Sequence, residues 1–250
     1  MRFLTSILAL VAMLTLSNMR VALAFQLTPI SQVFEPIGEK STQSYEVINN
    51  TDELIAVEVS MVVREMNLHG EESYTPAEDD FLIYPPQMIL APDEVQTVRV
   101  TWLGDPEPTQ ELAYRLIAEQ LPINLIDPDA PAPNRISAEV KLAFRYLGSV
   151  FIRPQGVAPA VDLVSVEAVT GADGEPMLAV TLNNQGTGGA RLSDWQLQLT
   201  SQGTTVNLTP ALVDEIRGQM ILPQHTRQFV IPWPQGLPSG LVTAKLQFEG

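Results

Sequence analysis

From Phe25 onward the chain shows almost no helical periodicity. Apolar and polar residues instead alternate over runs of about five to ten positions, each broken by Pro, Gly, Asn or Asp. In Leu54 to Arg64, the residues Ile55, Val57, Val59, Met61 and Val63 share one face, and Glu58, Ser60 and Arg64 take the other. In Gln96 to Trp102, Val98 and Val100 oppose Thr97, Arg99 and Thr101. The same pattern predicts strands at Gln26–Phe34, Thr42–Asn49, Phe81–Ile83, Met88–Leu90, Glu111–Gln120 and Arg135–Ile152. Many short strands at this spacing specify an all-β sandwich or barrel.

A second block predicts strands at Val161–Val169, Met177–Asn183, Trp195–Thr200, Thr205–Leu208, Arg227–Trp233 and Val242–Phe248. Arg153-Pro154-Gln155-Gly156 separates the blocks, with Pro to restrict the chain and Gly to permit unusual dihedrals. The reading is two all-β domains, residues 25–154 and 155–250, joined near residues 153–158. One large barrel is the alternative. Pro122 to Asn134 reads as a Pro- and Asp-rich loop, and Glu71-Glu72 with Glu78-Asp79-Asp80 as an acidic one.

Residues 1–24 have the form of a secretory signal: Arg2, an apolar stretch from Phe3 to Leu16, and the small-x-small site Ala22-Leu23-Ala24. Cleavage before Phe25 is expected, with an uncleaved anchor as the alternative; the apolar stretch is shorter than the roughly 20 residues a span needs. An exported, water-soluble mature chain would follow, not embedded in a membrane. Its 12 basic and 29 acidic residues leave a net charge of −17, against −15 for the whole chain. That excess of acid argues against a nucleic-acid partner, which needs clustered Lys and Arg. With no cysteine, disulfides, thiol catalysis and Cys-based metal sites are all excluded.

Enzyme chemistry finds little support. His69 and His225 fall in predicted turns, away from any nucleophile motif, and read as surface residues. Asn184-Gln185-Gly186-Thr187-Gly188-Gly189 is glycine-rich, but no helix follows to complete a phosphate cradle, so it reads as a hairpin loop. Asp127-Pro128-Asp129 lacks the oxygen spacing of a calcium loop. No cofactor and no metal are expected. In Arg135–Pro154, Val140, Leu142 and Phe144 lie on one face, and Glu139, Lys141, Ala143 and Arg145 on the other. Periodicity alone leaves two readings, an ordinary core strand and an edge strand awaiting another chain.

Three motifs, in order, resemble the periplasmic pilus-assembly chaperones (PapD-like). They are Tyr84-Pro85-Pro86 through Leu90-Ala91-Pro92-Asp93 to Val98-Arg99-Val100, then Glu111-Leu112-Ala113-Tyr114-Arg115 through Leu121-Pro122, then Phe151-Ile152-Arg153-Pro154. Tyr114-Arg115-Leu116 looks like the divergent, archaic or alternative, branch of the chaperone-usher pathway. The resemblance implies two immunoglobulin-like β-sandwiches and a periplasmic, non-enzymatic chaperone. Its partners would be pilin subunits with an incomplete fold and an outer-membrane usher. Strand donation to such subunits is a recognised mode of peptide recognition. Backward alignment from Phe151-Ile152-Arg153-Pro154 puts Val140, Leu142 and Phe144 on the donor positions. The basic residues that anchor a subunit's terminal carboxylate in the best-known members fall on Ser31 and Ser149. The resemblance therefore implies Arg115 as the anchor, then Arg145 or Lys141. Glu111 and Arg153 match an interdomain ion pair, whose third acid is not apparent around Pro238-Ser239-Gly240. A structural or adhesive β-sandwich of a pilus remains the alternative function.

Overall fold

A computed structural model describes residues 24–123 and 143–248. The first block folds as β1 (Gln26–Thr28), β2 (Ser31–Phe34), β3 (Thr42–Ile48), β4 (Ile55–Met66), β5 (Glu72–Pro76), β6 (Phe81–Tyr84), β7 (Gln87–Leu90), β8 (Val95–Trp102), β9 (Leu112–Gln120) and β10 (Arg145–Ile152). The second supplies β11 (Val161–Thr170), β12 (Pro176–Asn184), β13 (Ala190–Arg191), β14 (Trp195–Ser201), β15 (Thr204–Leu208), β16 (Met220–Ile221), β17 (Thr226–Pro232) and β18 (Thr243–Phe248). The molecule is two β-sandwiches.

In the first, a sheet ordered β1-β3-β8-β6 faces one ordered β2-β10-β9-β4-β5, with β7 also on β4. The alternation seen in the sequence decides what lies between them. Val57, Val59 and Met61 of β4 meet Val98 and Val100 of β8 and Leu116 of β9, all buried. Phe81, Trp102 and Tyr114 add an edge-to-face aromatic cluster with centroids 5.0–5.6 Å apart. Each such side chain contributes about 1.5–3 kcal/mol through burial. In the second sandwich the sheet β11-β12-β17 packs on β15-β14-β18. Leu178 and Val180 of β12, Leu197 and Leu199 of β14, and Phe229 and Ile231 of β17 form its core.

Three local readings are corrected. Gln26–Phe34 is two strands in different sheets: β1 pairs with β3, and β2 runs parallel to β10. Pro29 lies between them and has no N–H to continue the first pairing. Glu71-Glu72 is not loop throughout, because Glu72 opens β5, an edge strand on β4. Its residues Glu72-Ser73-Tyr74-Thr75-Pro76 carry no apolar alternation, and an edge strand without a buried face needs none. The glycine-rich run is not a hairpin. It crosses from β12 in one sheet to β13, which pairs with β16 in another. The last half of the long strand expected at Arg135–Ile152 is β10; residues 135–142 lie outside the described residues, as does the signal call except for Ala24.

Candidate functional site

The two halves of β10 have different neighbours. Along its whole length it pairs with β9. On its other side β2 covers Ser149–Ile152 alone, and the Ile30 carbonyl accepts the last hydrogen bond, from Ser149 N at 2.8 Å. Among the described residues no strand pairs with Arg145–Gly148 on that side, so their backbone groups form an open sheet edge. The chain before it leads into this edge. Phe144 is half-buried against the first core, and its carbonyl accepts Gln120 N at 2.9 Å. Tyr146, two positions on, stacks edge-to-face on buried Phe25 at 4.9 Å. Val140, Lys141 and Leu142 lie outside the described residues.

The outer face of the same sheet carries a cluster of charge. Ser31, Ser149 and Arg115 stand in one row across β2, β10 and β9. Of the two serines at the expected anchor positions, Ser149 is the direct cross-strand neighbour of Arg115, which donates from Nη1 to Ser149 Oγ, and Ser31 lies one strand further on. Arg115 also grips Glu72 with two parallel bonds, Nε to Oε2 at 2.9 Å and Nη2 to Oε1 at 2.6 Å. Such a bidentate, charge-assisted pair is strong and directional. Arg64 of β4 donates to the same Oε1 at 2.6 Å, and the Tyr74 hydroxyl donates to Oε2 at 2.8 Å. Arg145, in contrast, is exposed and makes a 3.7 Å pair with Glu119, the kind of contact worth little.

Burial pushes the Glu72 carboxyl upward, but hydrogen bonds from Arg115 and Tyr74 and the charges of Arg64 and Arg115 outweigh it and hold the pKa near 2. Burial, followed by the Arg115 charge, disfavours the Arg64 cation. Arg227 of β17 is subject to burial and then to Arg64. Arg64 and Arg227 are each more than nine-tenths buried, and among the described residues the Nε of each has no hydrogen-bond partner. The cluster is therefore rich in cation: three guanidinium groups surround one carboxylate. Sequence reading missed Glu72, Tyr74 and Arg227; Arg64 was visible as a charge on the polar face of a strong strand.

The sandwiches meet beside this cluster. Glu111 is buried, accepts from Arg153 Nε and from Gly189 N at 3.3 Å, and donates its own N–H to the Thr187 carbonyl at 2.8 Å. Backbone of the glycine-rich run thus adds an N–H donor to the Glu111 carboxylate beside Arg153. A Cβ on Gly189 would come 2.6 Å from Glu111 Oε1, so the absence of a side chain permits the contact. A second tether joins the β4–β5 turn to β17. Gln228 N donates to the Leu68 carbonyl at 2.7 Å, and Gly70, at φ +82°, lies flat against the Arg227 guanidinium. A cleft of about 370 Å³ opens here between Arg64, Glu111, Tyr114, Pro223 and His225. His225 Nδ1 lies 2.8 Å from the Pro223 carbonyl, and His69 is exposed.

Comparison with known proteins bears on the whole arrangement. The family model described as "Pili and flagellar-assembly chaperone, PapD N-terminal domain" matches residues 33–158. The fold is similar to the CsuC-CsuE chaperone-tip adhesion subunit pre-assembly complex of archaic chaperone-usher Csu pili from Acinetobacter baumannii, with TM-score 0.57 and 17% identity over 90% of this chain and 97% of that one. It is also similar to the class 5 fimbriae chaperone CfaA, with TM-score 0.53 and 16% identity over 91% and 93%. The E. coli chaperone DraB gives TM-score 0.51 and 20% identity over 86% of each chain. No curated protein sequence matches the chain.

Proposed function

The chain belongs to the pili and flagellar-assembly chaperones, and on that premise we propose that it captures incompletely folded pilin subunits by lending them a strand and delivers them to an outer-membrane usher. We place the work in the periplasm, after removal of residues 1–24, and put the join between the two sandwiches at residues 153–158.

The open edge of Arg145–Gly148 carries this reading. A subunit that lacks its last strand exposes apolar surface worth about 25 cal/mol per Å² and a row of unpaired backbone groups. The edge offers matching N–H and C=O groups, which give affinity to any such subunit. Val140, Leu142 and Phe144, two residues apart, would sit in successive pockets of the subunit and set its register. Arg115 would hold the subunit's C-terminal carboxylate. Its support is its place in one row with Ser31 and Ser149 and a guanidinium already oriented by Ser149. Lys141 and Arg145 are the weaker candidates. Strand exchange needs no nucleotide, since a neighbouring subunit's extension can replace the lent strand at the usher.

Co-expression of the mature chain with its cognate pilin, followed by affinity isolation, tests the proposal. Leu142→Glu should leave the chaperone folded and abolish recovery of the subunit. Full recovery with the charged strand would overturn it.

A further inference from the structure

We infer that Glu72 is an internal latch: in the free protein its carboxylate fills the Arg64–Arg115 fork, and a captured subunit's terminal carboxylate must displace it. The inference rests on the reading of Arg115 as the anchor and adds a competitor to that site.

Glu72 is bound as a ligand would be. Each of its oxygens accepts two hydrogen bonds, Oε1 from Arg64 and Arg115, Oε2 from Arg115 and Tyr74. Those four acceptor positions are about all a carboxylate has. Arg115 has spent three of its five N–H groups on Glu72 and Ser149. A second carboxylate cannot take the bidentate face while Glu72 holds it. It can, however, replace Glu72 at small net cost, because one charge-assisted set of bonds is exchanged for another and the released carboxylate returns to water.

The surroundings favour exchange over a permanent structural pair. Arg64, Arg115 and Arg227 outnumber Glu72, so the cluster still attracts an anion while the latch is closed. Among the described residues, buried Nε groups on Arg64 and Arg227 go unsatisfied, a cost that a rearranged cluster could recover. Glu72 stands at the first position of β5, which among the described residues is paired on one side alone, so a rotamer change frees it without breaking a sheet. An internal competitor also sharpens selection. Every chain end brings a carboxylate that can take the fork, whereas an internal segment brings one only where it carries Asp or Glu and otherwise would have to leave Glu72 in place.

The test uses the mature chain, with acetate as the carboxylate probe and chloride at equal ionic strength as control. The readout is the Arg115 Nε–H resonance with the thermal midpoint. Wild type should bind acetate weakly, Glu72→Gln about fivefold or more tightly, and Tyr74→Phe, which loses one bond to the latch, about twofold more tightly. Tyr74 is an exposed edge residue, so Tyr74→Phe decides the matter if Glu72→Gln does not fold. Equal acetate affinity in the three proteins, or weaker affinity in the variants, would overturn the latch. Failure of the anchor reading is separate: Arg115→Ala would then capture a pilin as well as wild type does, whatever acetate shows.

Discussion

Arg115 and Glu72, 43 residues apart in the chain, are joined by two parallel hydrogen bonds of 2.9 and 2.6 Å across the outer face of the β9-β4-β5 sheet. Arg64 lies on the strand between them and shares the carboxylate. This triad connects the stability of the first sandwich to the site proposed for a subunit's chain end. Its members can be removed one at a time.

Arg115→Ala should leave the sandwich folded, because Glu72 keeps Arg64 and Tyr74 as partners. Loss of hydrogen bonds to a charged group should still cost about 2 kcal/mol, read by urea denaturation. Pilin capture should be lost. Arg145→Ala should change neither, since its pair with Glu119 is exposed.

Glu72 also makes an acid-sensitive contribution. Its pKa is depressed from 4.5 to about 2 in the folded protein, so the deprotonated form is favoured by folding. The resulting stability is present above about pH 4.5 and drains away as pH falls toward 2. Denaturation of wild type and Glu72→Gln at several pH values should show a gap at pH 7 that closes across that window.

Phe144 separates two effects. It is half-buried against the first core, so Phe144→Glu should lower the thermal midpoint as well as abolish capture. Leu142→Glu should act on capture with little effect on the midpoint. The difference between the two midpoints, measured on isolated protein, checks the assignment.

Gly70→Ala and Gly189→Ala address the contact between the sandwiches. At Gly70 the backbone is left-handed, and a Cβ would overlap the Arg227 guanidinium, which Gln219, Met220 and the Phe229 ring hold in place. At Gly189 a Cβ would press on buried Glu111. Each substitution should cost about 1–3 kcal/mol, and small-angle scattering should report a looser interdomain arrangement.

Much of this was legible in the chain, because alternation has a period of two and a sheet has two faces. Val57, Val59 and Met61 of β4 and Val98 and Val100 of β8 were assigned to the buried side on that basis, and all are buried. The first-block motifs likewise carried the family. The misread elements were those that are polar, very short or interrupted by Pro29. β5 is polar throughout, and β13 and β16 are two residues each, too short for any period to show.

The amino-acid sequence by itself determined the two β-sandwiches, the side of each major strand that faces a core, and membership of the pilus-chaperone family. These depend on local pattern, which residues two apart already express. Tertiary structure alone decided that Arg115 stands in line with Ser31 and Ser149, that β2 stops short of Arg145–Gly148, and that Glu72 closes on the arginine fork. Each of those facts depends on strand order and register, which set residues many tens of positions apart side by side. Hydrogen bonds and ion pairs act over a few ångströms of space, and distance along the chain carries no information about them.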